Sequence, residues 1–402
     1  MRILVITQYY WPEYFQVTYE CEELVRRGHS VTVLTGLPNY PSGSIQRDYR
    51  WGRNRRQCKN GVDIIRVPLI ARGKNPLRLA LNYHSFAWFS SRIIQKLPRD
   101  YDVVYVPEVS PVTMIEAAAK YKRLNGTPLL VYCCDLWPES LKNLLGNRLQ
   151  WIVQMYSRIS GRLYSSANLV TVQSPAFSDY LRDLHDIPVS RTPFLPQFGD
   201  SEYLEMELFT PHKGVNFLVM GNMGRAQDIP VILGAVASMR HQSGFTVHFV
   251  GDGSCLEDAR RFVEEHELKD RVILHGRKPH EDMPIYYSMA DACILTLNGD
   301  SWIGTTVPTR LQGYMAAGKT VLAAVNGGSR DIIVESGCGE CVPAGDSTGL
   351  AELLDRFIDN PEAFSACGQR GRTYFRGRFT KKIHMDSLER MLLELGGEAS
   401  NG

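Results

Sequence analysis

Residues suited to holding an anion gather late in the chain, in TTVPTRLQGYMAAGKTVLAAVNGG (Thr305–Gly328). Two hydroxyls, Thr305 and Thr306, precede Pro308. Proline suits a first helical turn, where its missing N–H costs nothing. A helix start with hydroxyls and unpaired amides beside it attracts negative charge. Arg310 adds a permanent cation whose planar fork matches a diphosphate. Three more loops follow apolar runs: GNMGRAQD (Gly221–Asp228), VGDGS (Val250–Ser254) and HGRKP (His275–Pro279). Their glycines let backbone N–H groups come close to an anion. The candidates for phosphate contact are Gly221, Asn222, Arg225, Gln227, Gly251, Arg277, Lys278, Thr305, Thr306, Pro308 and Arg310. A tight strand-to-helix turn also needs glycine, so the signal lies in the joint order of the loops.

The first half offers a second set. QYYWPE (Gln8–Glu13) brings Tyr10, Trp11 and Glu13 to the end of a first apolar run, where aromatics stack on a sugar, meet a lipid or plug the sheet end. PNYP (Pro38–Pro41) places Asn39 and Tyr40 on a stiff turn. DLWPES puts Asp135 at the end of LLVYC, as a base or orienting group, or with Glu139 as a helix cap. Arg72–Arg92 mixes Arg72, Lys74, Arg78 and Arg92 with His84, Trp88 and several leucines and phenylalanines. That mixture suits an anionic lipid surface or a lipid-diphosphate acceptor. It equally suits a core helix whose cations reach out to water.

The elements that must position these residues follow from periodicity. Met1–Thr7 reads as a buried strand, Val17–Arg27 as a helix closed by Gly28, and His29–Thr35 as a second strand, together a βαβ unit. Strands follow at Asp63–Val67, Val103–Val106, Leu129–Cys133 and Leu169–Gln173, with helices at Pro111–Leu124 and Trp151–Ser165. After the proline-rich stretch Arg191–Pro211 the alternation restarts. Its strands are Asn216–Met220, Thr246–Val250, Val272–His275, Ala292–Leu297, Val321–Ala324 and Gly339–Val342. The chain therefore reads as two successive α/β domains, each with a parallel sheet, and ligands sit at the carboxyl ends of such strands. The tail Lys381–Leu395 has apolar residues at helical spacing.

A length of 402 residues suits two or three domains, and a net charge of +2 argues against a dedicated nucleic-acid binder. Nine cysteines show no four-ligand zinc spacing, and Cys338 and Cys341 form a lone Cys-x-x-Cys. Their odd number, and an N-terminus too short for a signal peptide, point to a reducing cytoplasm. No run of about 18 apolar residues is present to span a membrane.

The order GNMG, VGDGS, HGR, ADACILTL, PTRLQGYMAAGKTV, NGG and CVPAGD resembles the C-terminal domain of retaining GT-B glycosyltransferases of family four. QYYWPE, RGHSVTVLTGLPNYPSG, DLWPESL and FLPQF resemble the branch that builds bacterial O-antigens, capsules and exopolysaccharides. The resemblance implies an α/β GT-B fold, two facing Rossmann-like doubly wound domains with a cleft between them. Residues 1–197, with a C-terminal helix at about 378–402 packing back, would bind the acceptor, and 198–377 the nucleotide-sugar. It further implies transfer with retained configuration from a nucleotide-diphosphate donor, UDP by family frequency, N-acetylated sugars being common in this branch. The acceptor would be lipid-linked or an oligosaccharide, with no metal and no cofactor, on the cytoplasmic face of a membrane or in the cytoplasm.

The anion-binding set then becomes the donor side, Arg310 and Asp135 the catalytic candidates, and Tyr10, Trp11, Glu13, Asn39, Tyr40, Arg78, His84 and Glu139 the acceptor side. The chain departs from the family at several places. Two glutamates eight positions apart would fall on Thr305 and Gly313, the usual loop Arg and Lys on Asn222 and Gln227, and a His on Cys134. A GT-B nucleotide-sugar epimerase and a non-catalytic sugar-nucleotide-binding subunit stay open as rivals. A dehydrogenase is disfavoured, because no dinucleotide fingerprint follows strand one.

Overall fold

The computed structural model describes residues 1–73, 75–145, 149–299 and 302–398. Lys74, one of the basic residues singled out above, lies outside them. The chain divides into two compact units, one made of Met1–Leu195 with Met385–Gly402, the other of Pro196–His384.

The first unit holds β1 (Arg2–Ile6), β2 (Ser30–Gly36), β3 (Arg56–Lys59), β4 (Val62–Val67), β5 (Val103–Glu108), β6 (Leu129–Cys133) and β7 (Leu169–Val172). Their order in the sheet is β3-β4-β2-β1-β5-β6-β7. The central strands are almost wholly buried and rich in valine and isoleucine, as strands covered on both faces must be. Ile3 pairs with Val31 on one side and Val103 on the other. The expectation of a purely parallel sheet needs correction at one edge, where β3 runs antiparallel to β4. Asn60 (φ 51°) and Gly61 (φ 80°) join the two. Two left-handed residues of this type make a tight hairpin turn matched to strand twist.

The second unit holds β8 (Val215–Met220), β9 (Phe245–Val250), β10 (Val272–Gly276), β11 (Ala292–Thr296), β12 (Thr320–Ala324) and β13 (Gly339–Val342). All are parallel, in the order β10-β9-β8-β11-β12-β13. Phe217, Phe249, Ile232 and Leu354 lie in one buried layer, and Leu218, Leu295, Leu311 and Phe375 in another. The units meet in sequence at Leu195/Pro196 and His384/Met385, where the family resemblance put the breaks near 197 and 377. The helix Cys367–Arg378 stays with the second unit because Phe375 is fully buried there, and Phe379 beyond it packs in the same layer.

The last helix, Lys381–Glu398, passes to the first unit from Met385 onward. Met385, Leu388 and Leu392, spaced three and four apart, are buried against Ile3, Val31 and Val103. Beside them the Glu389 carboxylate accepts from Arg27 at 2.7 Å and faces His29 Nε2 at 2.8 Å. Burial opposes its charge, but the hydrogen bonds from Arg27 and His29 outweigh that and hold it below the usual glutamate range. A depressed folded-state pKa gives stability that is complete above the unfolded value and is lost as pH falls through the folded one. Glu389→Gln should therefore lower stability near neutrality by about 1–2 kcal/mol. The gap to the parent should close in thermal unfolding curves taken below about pH 4; a gap constant with pH would refute the assignment.

Candidate functional site

In an open parallel sheet, ligands bind beyond the strand ends where the order reverses. In the second unit that point lies between β8 and β11. The loops around it are tied by their backbones. Gly221 N–H donates to the Val250 carbonyl at 2.9 Å, Met223 N–H to Asp252 at 2.9 Å, Gly251 N–H to Gly276 at 3.0 Å and Asn298 N–H to Ala226 at 3.0 Å. The approach is so close that a Cβ on Gly251 would lie 1.8 Å from the Gly221 oxygen. Gly327 (φ 55°) meets Thr305 in the same way, its Cβ position being 2.6 Å from that of Thr305.

Arg310 reaches this corner from the helix Thr309–Ala316. The helix begins after Pro308, not at it; Pro308 is its extended cap (φ −75°, ψ 144°). Arg310 is half-buried, and its Nη2 donates to the Thr296 carbonyl at the end of β11 at 3.0 Å. Its stem runs past Gly221, where a methyl group would sit 4.0 Å from Cδ. Burial pulls the guanidinium below its usual pKa, yet arginine keeps its proton in proteins. Among the described residues no carboxylate pairs with it. One turn on, the Tyr314 hydroxyl accepts the Met220 N–H at 3.0 Å and is kept neutral by burial. A partly desolvated cation beside glycine loops and a helix start favours an anion there.

The other donor-side candidates divide. The Thr305 hydroxyl donates to the Trp302 carbonyl at 2.6 Å, and the Thr306 carbonyl accepts from Ser329 at 2.7 Å, so both segments are braced. Gln227 Oε1 accepts from Gly224 N–H at 3.1 Å and from Asn222 Nδ2 at 3.3 Å, closing the first loop on itself. Arg225, Arg277 and Lys278 are exposed on the loops that follow β8 and β10. Gly313 is buried with its Cβ position 2.7 Å from the Tyr287 hydroxyl, so a carboxylate side chain at the position where the resemblance implies one would collide with that phenol.

In the first unit, several acceptor-side expectations need correction. Tyr10 is buried in the core. Glu13 is buried, its Oε1 accepting the Asn39 and Tyr40 N–H groups at 2.7 and 2.6 Å. Asn39 is fully buried, donating to the Leu37 carbonyl and accepting from Arg72 N–H and Asn82. Glu139 is buried between Lys142 and the Tyr180 hydroxyl. Side chains so committed hold the loops. Trp11 is half-buried under Lys59, Tyr40 is exposed beneath Arg72, and Arg78 is exposed. His84, also exposed, faces the Tyr156 hydroxyl at 2.8 Å.

Asp135 has a partner that the sequence reading missed. It follows β6, and Glu108, fully buried, ends the neighbouring β5. Glu108 Oε2 accepts from Tyr164 at 3.1 Å, while its Oε1 is buried without a partner among the described residues. Burial, then the charge of Asp135, push Glu108 well above the carboxylate range. Asp135 Oδ1 accepts from the Ser140 hydroxyl at 2.5 Å, and Ser110, which accepts from the Trp137 indole at 3.1 Å, also supports its charge. Burial still raises Asp135 to about 6. Both carboxyls are thus raised by burial, Asp135 to about 6. The sheet order of this unit reverses between β1 and β5, so Glu108 lies at its switch point. The signal available was a glutamate closing an otherwise apolar strand.

The remaining ligand-like groupings are quieter. All nine cysteines are free, and burial pushes Cys338 to about 11. Asp200, Glu202 and His280 come together at the surface, with His280 already facing Asp200 at 3.1 Å.

Residues 16–196 match the glycosyl transferase 4-like domain, and residues 204–374 match glycosyl transferases group 1. The chain belongs to the family-four type of glycosyl transferases. An amylovoran biosynthesis glycosyltransferase of Erwinia amylovora is 26% identical over 147 residues, which is 36% of each chain, so the match spans about a third of that relative's length. A 2-deoxystreptamine N-acetyl-D-glucosaminyltransferase of Streptomyces fradiae is 24% identical across 100% of this chain and 99% of its own. Among solved structures, HepE of Anabaena in complex with UDP superposes with a TM-score of 0.72 at 15% identity, over 98% of this chain and 100% of that one. This likeness, with the two Rossmann-like units, gives the glycosyl transferase a GT-B fold.

The contact between glycine loops yields a paired test on this glycosyl transferase. Gly251→Ala should lower the melting temperature by at least about 5 °C, since backbone must move. Gly377→Ala, on an exposed helical position with nothing within 4 Å, should leave it unchanged or raise it slightly. Equal melting temperatures for the two variants would show that the loops are not packed as described.

Proposed function

We propose that the chain transfers a sugar from a nucleotide-diphosphate donor to a lipid-linked or oligosaccharide acceptor in the synthesis of a bacterial surface polysaccharide, with retained anomeric configuration. The observation that carries this reading is Arg310, a cation without a carboxylate partner among the described residues, set where the loops after β8 and β11 meet a helix start. The donor diphosphate lies against Arg310, the amides following Gly221 and Gly251, and the start of the Thr309–Ala316 helix. As the sugar–phosphate bond breaks, negative charge grows on the leaving oxygen, and donors already in place stabilise it without reorganising. Arg310 and the oriented amides supply the charge that a metal would otherwise bring, so the reaction is read as metal-free. The acceptor proton passes to the leaving phosphate, and Asp135 orients the acceptor from the first unit.

The comparisons support the finer points. UDP is favoured as the nucleotide because HepE holds it. An N-acetylated sugar is favoured by the Streptomyces relative's name, and a polysaccharide product by the Erwinia relative's. A second reading, a subunit that binds sugar nucleotides without turning them over, draws on the absence of a carboxylate at Thr305 and Gly313.

Thermal shift and nucleotide-release assays separate the two. UDP-sugars should stabilise the protein by about 2.7 kcal/mol at a hundred times their dissociation constant. UDP should be released only when acceptor is present. Stabilisation without release and with the donor unchanged would favour the binding subunit, a donor isomerised without acceptor an epimerase, and release without acceptor a hydrolase. Arg310→Ala should cut kcat/KM by about 100-fold or more; unchanged donor affinity and rate would remove Arg310 from the mechanism.

Asp135 is needed ionised, and burial raises it to about 6. Turnover should therefore fall as pH drops below about 6, and Asp135→Asn should flatten that acid limb. An acid limb that survives in Asp135→Asn must come from another group.

A further inference from the structure

The first unit carries an exposed face that the transfer chemistry does not use. On the helix Pro76–Ile93, Leu77, Leu81 and Trp88 are 71%, 42% and 48% exposed, and His84 between them is exposed as well. Steps of four, three and four residues put all four on one narrow stripe. The Arg92 guanidinium continues the stripe, lying 3.8 Å from the centre of the Trp88 ring. His84 Nε2 touches the Tyr156 hydroxyl, which joins this helix to its neighbour, Gln150–Ser166. That helix has its own exposed stripe, with Trp151 and Met155 at 65% and 42%, then exposed Arg158 and Arg162. Such a surface is costly to leave in water, and scattered exposed leucines do not explain an apolar stripe on each of two helices.

Charge says what covers it. No aspartate or glutamate occurs between Asp63 and Asp100, or between Glu139 and Asp179, the two stretches that contain these helices. The chain has 43 acidic residues in 402, so 75 residues would ordinarily hold about eight. The same stretches carry eleven lysines and arginines. A groove of about 640 Å³ beside the stripes, lined by Ser91 and Arg162, extends the basic rim through Lys120, Lys122 and Arg123; its single acid, Glu116, lies 3.6 Å from the Arg162 guanidinium, an exposed pair that a phosphate can replace. Two copies of such a face would repel each other, which disfavours self-association. Tryptophan at the rim of an apolar stripe, with arginine beside it, is the composition of helices that lie in a headgroup layer.

We propose that the face formed by the helices Pro76–Ile93 and Gln150–Ser166 docks on a bilayer of anionic phospholipid. Leu77, Leu81, Trp88, Trp151 and Met155 enter the headgroup region, and Arg158 and Arg162 meet phosphates. No described helix is long and apolar enough to cross a membrane, so the contact is peripheral. The proposal is independent of the transfer chemistry, and its test requires no turnover.

The test is flotation of the full chain with vesicles of phosphatidylcholine alone and of phosphatidylcholine mixed with phosphatidylglycerol. Binding should require phosphatidylglycerol and weaken in high salt. Arg158→Glu with Arg162→Glu should reduce binding by at least about 25-fold, roughly fivefold for each cation lost. Trp88→Ser with Trp151→Ser should weaken binding and abolish the blue shift of tryptophan emission on vesicles. Unchanged melting temperatures would certify that the variants fold. Equal binding to neutral vesicles, no binding to either, or full binding by both double variants would overturn the proposal. So would a concentration-dependent dimer that Leu77→Glu dissolves, which would make the face a contact between copies.

Discussion

The backbone contact between Gly221 and Gly251 governs much of what the second unit can do. Two strand-to-helix loops lie so close that Gly251 accepts no side chain at the point of approach. The Gly221, Met223 and Gly251 amides are held by the two loops and by β10, and those of Gly224 and Gly253 by Gln227 and Asp252 side chains. The stem of Arg310 passes Gly221, and its guanidinium reaches the end of β11. Rigid amides and a cation that lacks a carboxylate partner among the described residues make a corner whose charge is arranged before a ligand arrives, the condition for strong electrostatic stabilisation.

The first unit shows the complementary economy. Carboxylates that look functional in the sequence are consumed in holding loops. Glu13 satisfies two backbone amides of the PNYP turn, which would otherwise be buried without acceptors. Glu108, which carries no motif, gains the more interesting setting because it ends a buried strand beside Asp135. The contrast follows from geometry. A loop carboxylate can fold back on its own turn, while one at a strand terminus is held at the sheet end with few local amides to satisfy it.

Strand and helix positions were legible because the buried strands are apolar throughout and the surface helices repeat at three and four residues, as Met385, Leu388 and Leu392 do. Of the β3–β4 hairpin the sequence shows β4 and hides β3, since RQCK has Cys58 as its one apolar residue; the legible signal is Asn60-Gly61, whose turn preference is strong. On the donor side, order and glycine spacing pointed to the right loops, yet the sequence was silent on which polar groups are spent internally. Gln227 closing its own loop and Thr305 donating to Trp302 depend on distances that spacing does not encode. Tyr10 shows the same limit: an aromatic in a loop after a strand is core or contact according to which way it turns.

Gly313 and Tyr287 have a consequence for how this lineage can change. The phenol stands where a side chain at 313 would begin, so the two positions are steric alternatives. Placing an acid there by a single codon change would drive it into the buried phenol oxygen, and shrinking Tyr287 alone would open a void in a packed layer. Each step is unfavourable without the other. The pair thus acts as a ratchet, keeping descendants of this chain on a site without that carboxylate unless both residues change together.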